Sequence, residues 1–195
     1  MYYHECGACA KFIFVEVDMS EQRISSLSFK EQKALKPTIE TVILECLDGE
    51  MQNVALDFVA YIKSLKLTPR WTNRNAWDVR YKNRGVCKIY VWDDGWFIRP
   101  SFNGDYDEEL MTFLIENKLE ETIWNNIYHC RACGKSPTSC MLKSKIVLGK
   151  EFTCVCKCIL FQFHNPNIDT VACAKKLIDY RRTAITNIAV QALND

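Results

Sequence analysis

The 195-residue sequence predicts an α+β fold: an antiparallel β-meander flanked by helices, with a C-terminal cysteine zinc knuckle. Three observations lead there. Polar and apolar residues alternate through residues 77–101, interrupted twice by the turn signals Asn83-Arg84-Gly85 and Asp93-Asp94-Gly95. Apolar stripes at helical spacing lie on either side, at residues 53–67 and beyond Ile168. Six of the eleven cysteines fall between residues 130 and 158, at spacings typical of metal ligands.

From the N-terminus, residues 11–18 (KFIFVEVD) alternate as a strand with one buried face, and residues 23–29 are its expected partner. Ile39, Val42, Ile43 and Cys46 share one side of a helix over residues 38–47, after which Asp48-Gly49 reads as a connector. Asn53 would cap a second helix that stacks Leu56, Val59, Ile62 and Leu65 or Leu67 before Pro69 ends it. Three strands follow, at 77–82, 86–92 and 96–101. Asp105, Asp107, Glu108 and Glu109 carry the charge favoured at a helix N-terminus, ahead of Leu110, Phe113 and Leu114. A further helical segment spans 119–128, strands are expected at 145–148 and 156–163, and Asn165-Pro166-Asn167 leads into a long helix. Val171, Ala174, Leu177, Ile178 and Ile185 form its core face. With no repeat or clear linker, residues 1–195 read as a single domain. The competing boundary lies near residue 49, dividing an N-terminal extension (1–49) from a zinc-containing core (50–195).

The net charge is +1, but the charges are blocked: −4 over residues 1–52, +5 over 53–104, −6 over 105–129 and +6 over 130–195. Such blocks fit packed neighbours or differently charged faces better than a uniformly basic nucleic-acid surface. No run of 18 apolar residues occurs, and residues 1–10 lack the basic flank and apolar stretch of a signal peptide. A soluble, cytoplasmic protein without membrane contact is therefore expected. Reduced metal-binding thiolates also suit the odd cysteine count better than a secreted disulfide framework does.

Cys130-Arg-Ala-Cys133-Gly is a knuckle in which two thiolates three residues apart converge on one ion and Gly134 relieves the turn. Cys140 follows, and Cys154, Cys156 and Cys158 alternate along an expected strand, so all three would point the same way. A closed set of Cys130, Cys133, Cys140 and either Cys154 or Cys156, with His129 as a substitute, predicts structural zinc; a catalytic site would keep an open position. Cys6 and Cys9, with His4 nearby, could hold a second ion with Cys154 or Cys158. As this pair precedes the first strand, it lacks the context of a thioredoxin-type redox motif. Cys46, Cys87 and Cys173 lie on apolar faces and read as core.

Several motifs carry a resemblance: ALDFVAYIKSLKLTPRW, the Trp-rich meander, CRAC, GKEF followed by Cys156, and the AKKLIDYRR helix. Over residues 53–182 the chain resembles an uncharacterised family of Firmicute (gut and clostridial-type) cysteine-containing proteins of unknown function. The resemblance implies that Cys130, Cys133, Cys140 and Cys156 act together as the ligands. It implies no activity, substrate or partner.

Alternation along the meander assigns Trp77, Val79, Tyr81, Cys87, Ile89 and Val91 to the core, and Arg80, Lys82, Lys88, Tyr90, Trp92 and Arg99 to the opposite face, with Arg70, Trp71 and Arg74 at its rim. Cations interleaved with rings can stack a planar ligand and neutralise its charge. Trp71, Arg80, Tyr90, Trp92 and Arg99 are thus the candidate ligand-binding residues of a zinc-containing small-molecule binder or sensor. In the competing reading another layer covers this face and the cationic stems run out to water. A nucleic-acid-binding zinc module, using Lys135, Lys143, Lys145, Lys150 and Lys157, is the first alternative function. An enzyme is the second; with no phosphate loop, GxSxG or HExxH present, it would need a cleft containing His129, His164 or a reactive thiol. An uncovered Trp-rich face could also serve a homodimer.

Overall fold

A computed structural model describes residues 23–102, 108–129, 144–153, 155 and 161–191. The strand expected at 11–18 lies outside them. Its expected partner at 23–29 is not a strand: Ile24–Ser26 form a 3-10 turn and Ser28 caps helix α1 (Phe29–Leu35). Ser28 Oγ accepts from Glu31 N, and the Glu31 carboxylate accepts from Ser28 N at 2.8 Å, a reciprocal capping box that outweighs the weak alternation around it. Thr38 caps α2 (Ile39–Cys46). Helix α3 (Gly49–Ser64) starts four residues before the expected cap at Asn53. Gln52, in its first turn, donates to Leu47 O at 2.6 Å and so ties the end of α2 to the start of α3. At the far end Lys66 adopts a left-handed conformation (φ 59°), and Leu67 N reaches back to Ile62 O, closing α3 with a Schellman-type turn.

The strands follow as β1 (Arg70–Asn73), β2 (Ala76–Tyr81), β3 (Arg84–Trp92) and β4 (Gly95–Pro100). The β2–β3 turn is Lys82-Asn83, both with positive φ, so β3 begins at Arg84 rather than at residue 86. Beyond them come α4 (Glu108–Glu116), α5 (Glu120–Asn125), the hairpin β5 (Lys145–Val147) and β6 (Lys150–Phe152), β7 (Phe163–His164) and α6 (Ile168–Gln191). Asn167 caps α6 through its side chain to Thr170 N at 2.9 Å. Of the strand expected at 156–163, the described part contributes the isolated bridge Ile127–Phe161 and the first residue of β7; a second isolated bridge, His129–Val155, lies just before it.

The main sheet is antiparallel in the order β1-β2-β3-β4-β7. Trp77 pairs with Ile89, Val79 with Cys87, Val91 with Trp96, and Ile98 with both Ile89 and Phe163; every one of these side chains is buried. They pack in one core with the apolar sides of α2, α3 and α6, where Phe58 meets Trp96 at 5.8 Å between ring centroids. The expected core residues Val171, Ala174, Leu177, Ile178 and Ile185 are all buried there. Among the described residues no helix is long and apolar enough to cross a membrane.

A buried polar knot attaches the first helix to the sheet. Gln32 on α1 is fully buried; its amide nitrogen donates to Ile24 O and to Asn75 Oδ1, while its carbonyl oxygen accepts from Asn75 N (2.9 Å) and Trp71 Nε1 (3.3 Å). Asn75 holds the β1–β2 turn in a left-handed conformation (φ 54°) and donates to Ser25 O at 3.0 Å. Substituting Gln32→Ala would strand several buried partners at once. A loss of about 2–4 kcal/mol is expected, read as a lower urea midpoint at unchanged m-value. A loss below about 1 kcal/mol would show that water replaces the amide without difficulty.

Candidate functional site

Opposite the core face, the register sets Tyr90 beside Phe97, Phe97 beside His164, and Lys88 beside Arg99. Tyr90 and Phe97 stack with centroids 4.3 Å apart, and Phe97 lies 5.0 Å from the His164 ring. The Arg99 guanidinium lies 5.2 Å from the Tyr90 ring, 5.8 Å from Phe97 and 5.8 Å from Tyr128. A guanidinium is weakly hydrated and suits aromatic faces, so the rings hold it in place while it keeps its charge.

Gln162, buried at 4% exposure, fixes the direction of that guanidinium: its carbonyl oxygen accepts from Arg99 Nε at 2.9 Å and Nη2 at 2.6 Å. The Gln162 amide nitrogen lies 2.6 Å from His164 Nε2. No carboxylate among the described residues forms an ion pair with Arg99.

The far wall is the stretch after α5, tied to the strand region by the Ile127–Phe161 bridge and by Gln162 N donating to Asn126 O at 3.0 Å. Between the walls lies a cleft of about 630 Å³ lined by Phe97, Arg99, Asn125, Asn126, Tyr128, His129, Gln162 and His164. His129 is exposed, and its Nδ1 lies 3.1 Å from Thr153 O; since a carbonyl only accepts, the neutral ring carries its proton on Nδ1 and leaves Nε2 unprotonated. A reciprocal clasp places His164: Asn165 N donates to Trp96 O at 2.8 Å, and Trp96 N donates to Asn165 Oδ1 at 2.8 Å. Gly95 (φ +144°) makes room for it, because a Cβ there would lie 2.0 Å from Asn165 Oδ1.

Of the five candidate ligand residues, the structure brings Tyr90 and Arg99 to the cleft region and disperses the rest. Arg80 shares their face but stands near the β2–β3 turn, paired with the buried Asp78. Trp92 lies at the opposite end of that hairpin, with Arg74 5.9 Å from its ring. Trp71 belongs to the other face. It pairs with Trp77, and its ring meets Phe29 at 5.6 Å and lines a separate recess of about 430 Å³ with Lys36, Pro37 and Arg70. In the sequence Arg70–Asn73 stand only as a rim before the meander, and a rim assigns no parity to Trp71. Gln162, Tyr128 and Phe97 were missed as site residues. The alternation Phe161-Gln162-Phe163-His164 did contain the signal for Gln162, since it sets Gln162 and His164 on one face between two buried rings.

The proposed zinc ligands Cys130, Cys133, Cys140 and Cys156, with the alternatives Cys154, Cys158, Cys6 and Cys9, lie outside the described residues. Among the described residues no group of three or more His, Cys, Asp or Glu could hold a metal ion. No protein-family model matches the chain, and neither a curated protein nor a solved structure matches it.

The three described thiols belong to the packing, not to the cleft. Burial pushes Cys46 up to about 11, with Asp93 beside it adding to the rise; burial pushes Cys173 up to about 12, and Cys87 is raised by burial and by nearby Asp78. At about pH 8 Cys46 is expected to react with a thiol reagent about a hundredfold more slowly than in the unfolded chain, and Cys87 and Cys173 more slowly still. Rapid modification of Cys46 in the folded protein would contradict that placement.

Proposed function

We propose that the protein is a zinc-containing binder or sensor of a small, planar, anionic molecule, which it takes into the cleft at Arg99. The observation that carries this reading is the guanidinium itself: caged by rings, aimed by a neutral amide, and without a carboxylate partner among the described residues. A site lined by Phe97 and Tyr128 with one oriented cation and two imidazoles offers stacking for a ring and charge for its carboxylate, sulfonate or phosphate.

Zinc in this reading is structural and is held by Cys130, Cys133, Cys140 and Cys156, the set implied by the resemblance to the Firmicute family. Four thiolates suit zinc chemically. The described backbone supports convergence of their segments: His129, which precedes Cys130, bridges to Val155, which precedes Cys156, and the β5–β6 hairpin pairs Lys145 with Phe152 between Cys140 and Cys156. His129 also lines the cleft, so a metal bound at the next residue would brace the cleft wall.

Thermal unfolding with aromatic carboxylates, aromatic sulfonates and nucleoside monophosphates tests the binding. A planar anion at a hundred times its Kd stabilises by about 2.7 kcal/mol, so a shift of several degrees is expected, lost in Arg99→Gln and absent with neutral analogues. Equal shifts in wild type and Arg99→Gln would overturn the assignment. Metal analysis of reduced protein is expected to find one zinc per chain, and strong chelation to lower both stability and ligand affinity. Metal-free protein with freely reactive thiols at all four positions would remove the zinc.

A further inference from the structure

Resting on the reading that the cleft takes an anion, we propose that binding is coupled to uptake of a proton by His164, and that Gln162 is the positioning residue that links this imidazole to Arg99. Gln162 is a buried amide with cation-forming groups at both ends. Its end facing Arg99 receives two N–H donors and must be the carbonyl oxygen, so the end facing His164 is the NH2 group, which can only donate. His164 Nε2 at 2.6 Å is therefore the acceptor, and the neutral ring carries its proton on Nδ1.

A second proton on His164 would set N–H against N–H across that contact. Turning the amide over gives no relief, because its NH2 would then meet the two Arg99 donors. Thus no orientation of Gln162 serves both Arg99 and an imidazolium at once. An anion in the cleft resolves the conflict by accepting from the His164 Nε2–H and the guanidinium together, since both side chains line the same cavity.

The groups facing His164 reinforce this direction. Phe97 and Arg99 come from β4, Tyr90 from β3, and Tyr128 and His129 from the opposite wall; Lys88 lies one position beyond, beside Arg99. Among the described residues, the charged side chains in this set are cationic. A bound anion supplies negative charge beside His164, which favours its protonated form. Affinity is therefore highest at a pH where the free imidazole is already protonated and falls as pH rises through the titration of the complex.

Calorimetry with naphthalene sulfonate, whose own charge is constant across the range, tests the coupling on the zinc-loaded 195-residue chain. Titrations near neutral pH in two buffers of different ionisation heat are expected to show a net uptake of about half a proton. The Kd should tighten on the order of tenfold from about pH 8 to about pH 5.5. In His164→Gln binding is expected to weaken at low pH to about the wild-type level at pH 8, and proton uptake and the pH slope to disappear. Imidazole nitrogen shifts of the free wild-type protein are expected to show His164 protonated on Nδ1, a readout that needs no variant to fold. Binding without proton uptake, uptake that survives His164→Gln, or an Nε2-protonated His164 would each overturn the inference while leaving the cleft as an anion site. Failure of the sulfonate to bind at any pH would remove the cleft reading and the coupling with it.

Discussion

Strand parity at the β4–β7 edge is the constraint on which the site depends. Ile98 and Phe163 face each other and are fully buried against the helices, and a strand cannot turn one residue inward without turning its neighbours outward. Burying these two apolar side chains therefore places Phe97, Arg99, Gln162 and His164 together on the other side. A one-residue slip of β7 would drive Gln162 and His164 into a core built from Phe58, Trp96 and Leu177, where neither would find its present partners. The Asn165–Trp96 clasp holds the register at the very end of β7, a two-residue strand that has little ladder of its own.

Two buried glutamines show how the same amide serves structure in one place and chemistry in another. Gln32 is surrounded by backbone groups, Asn75 and Trp71, none of which changes charge near neutral pH, so its network has one satisfied state and works as a rivet between α1 and the sheet. Gln162 sits between a permanent cation and an imidazole. Its network is satisfied in only one protonation state, and it opens onto the cleft rather than being sealed away. That difference in neighbours separates a stabilising contact from a responsive one.

Much of the architecture was legible in the sequence because it is governed by short-range periodicity. The meander faces, with Trp77, Val79, Cys87, Ile89 and Val91 inward, and the core stripe of α6 follow from periods of two and 3.6 residues. The region before α2 was misread because a capping box of two polar residues, Ser28 and Glu31, directs the local backbone more strongly than the apolar alternation around it. For the site, Tyr90 and Arg99 were visible as a cation and ring on the outward face. The cleft was not, because its far wall comes from residues 125–129, which reach the sheet through Ile127 and Asn126 by a long-range pairing that no local pattern encodes. Trp71 was placed with the wrong group because β1 had not been counted as a strand, and parity across an unrecognised strand cannot be assigned.

The central claim is that the ligand enters at Arg99 and not elsewhere on the outward face or in the recess beside Trp71. Backbone and imidazole chemical-shift mapping of the labelled 195-residue chain with naphthalene sulfonate tests it most directly. The account predicts shifts concentrated at residues 97–99, 125–129 and 162–164, saturating together. Shifts centred on residues 36–40 and 68–71, or spread along the meander through Arg80 and Trp92, would contradict it.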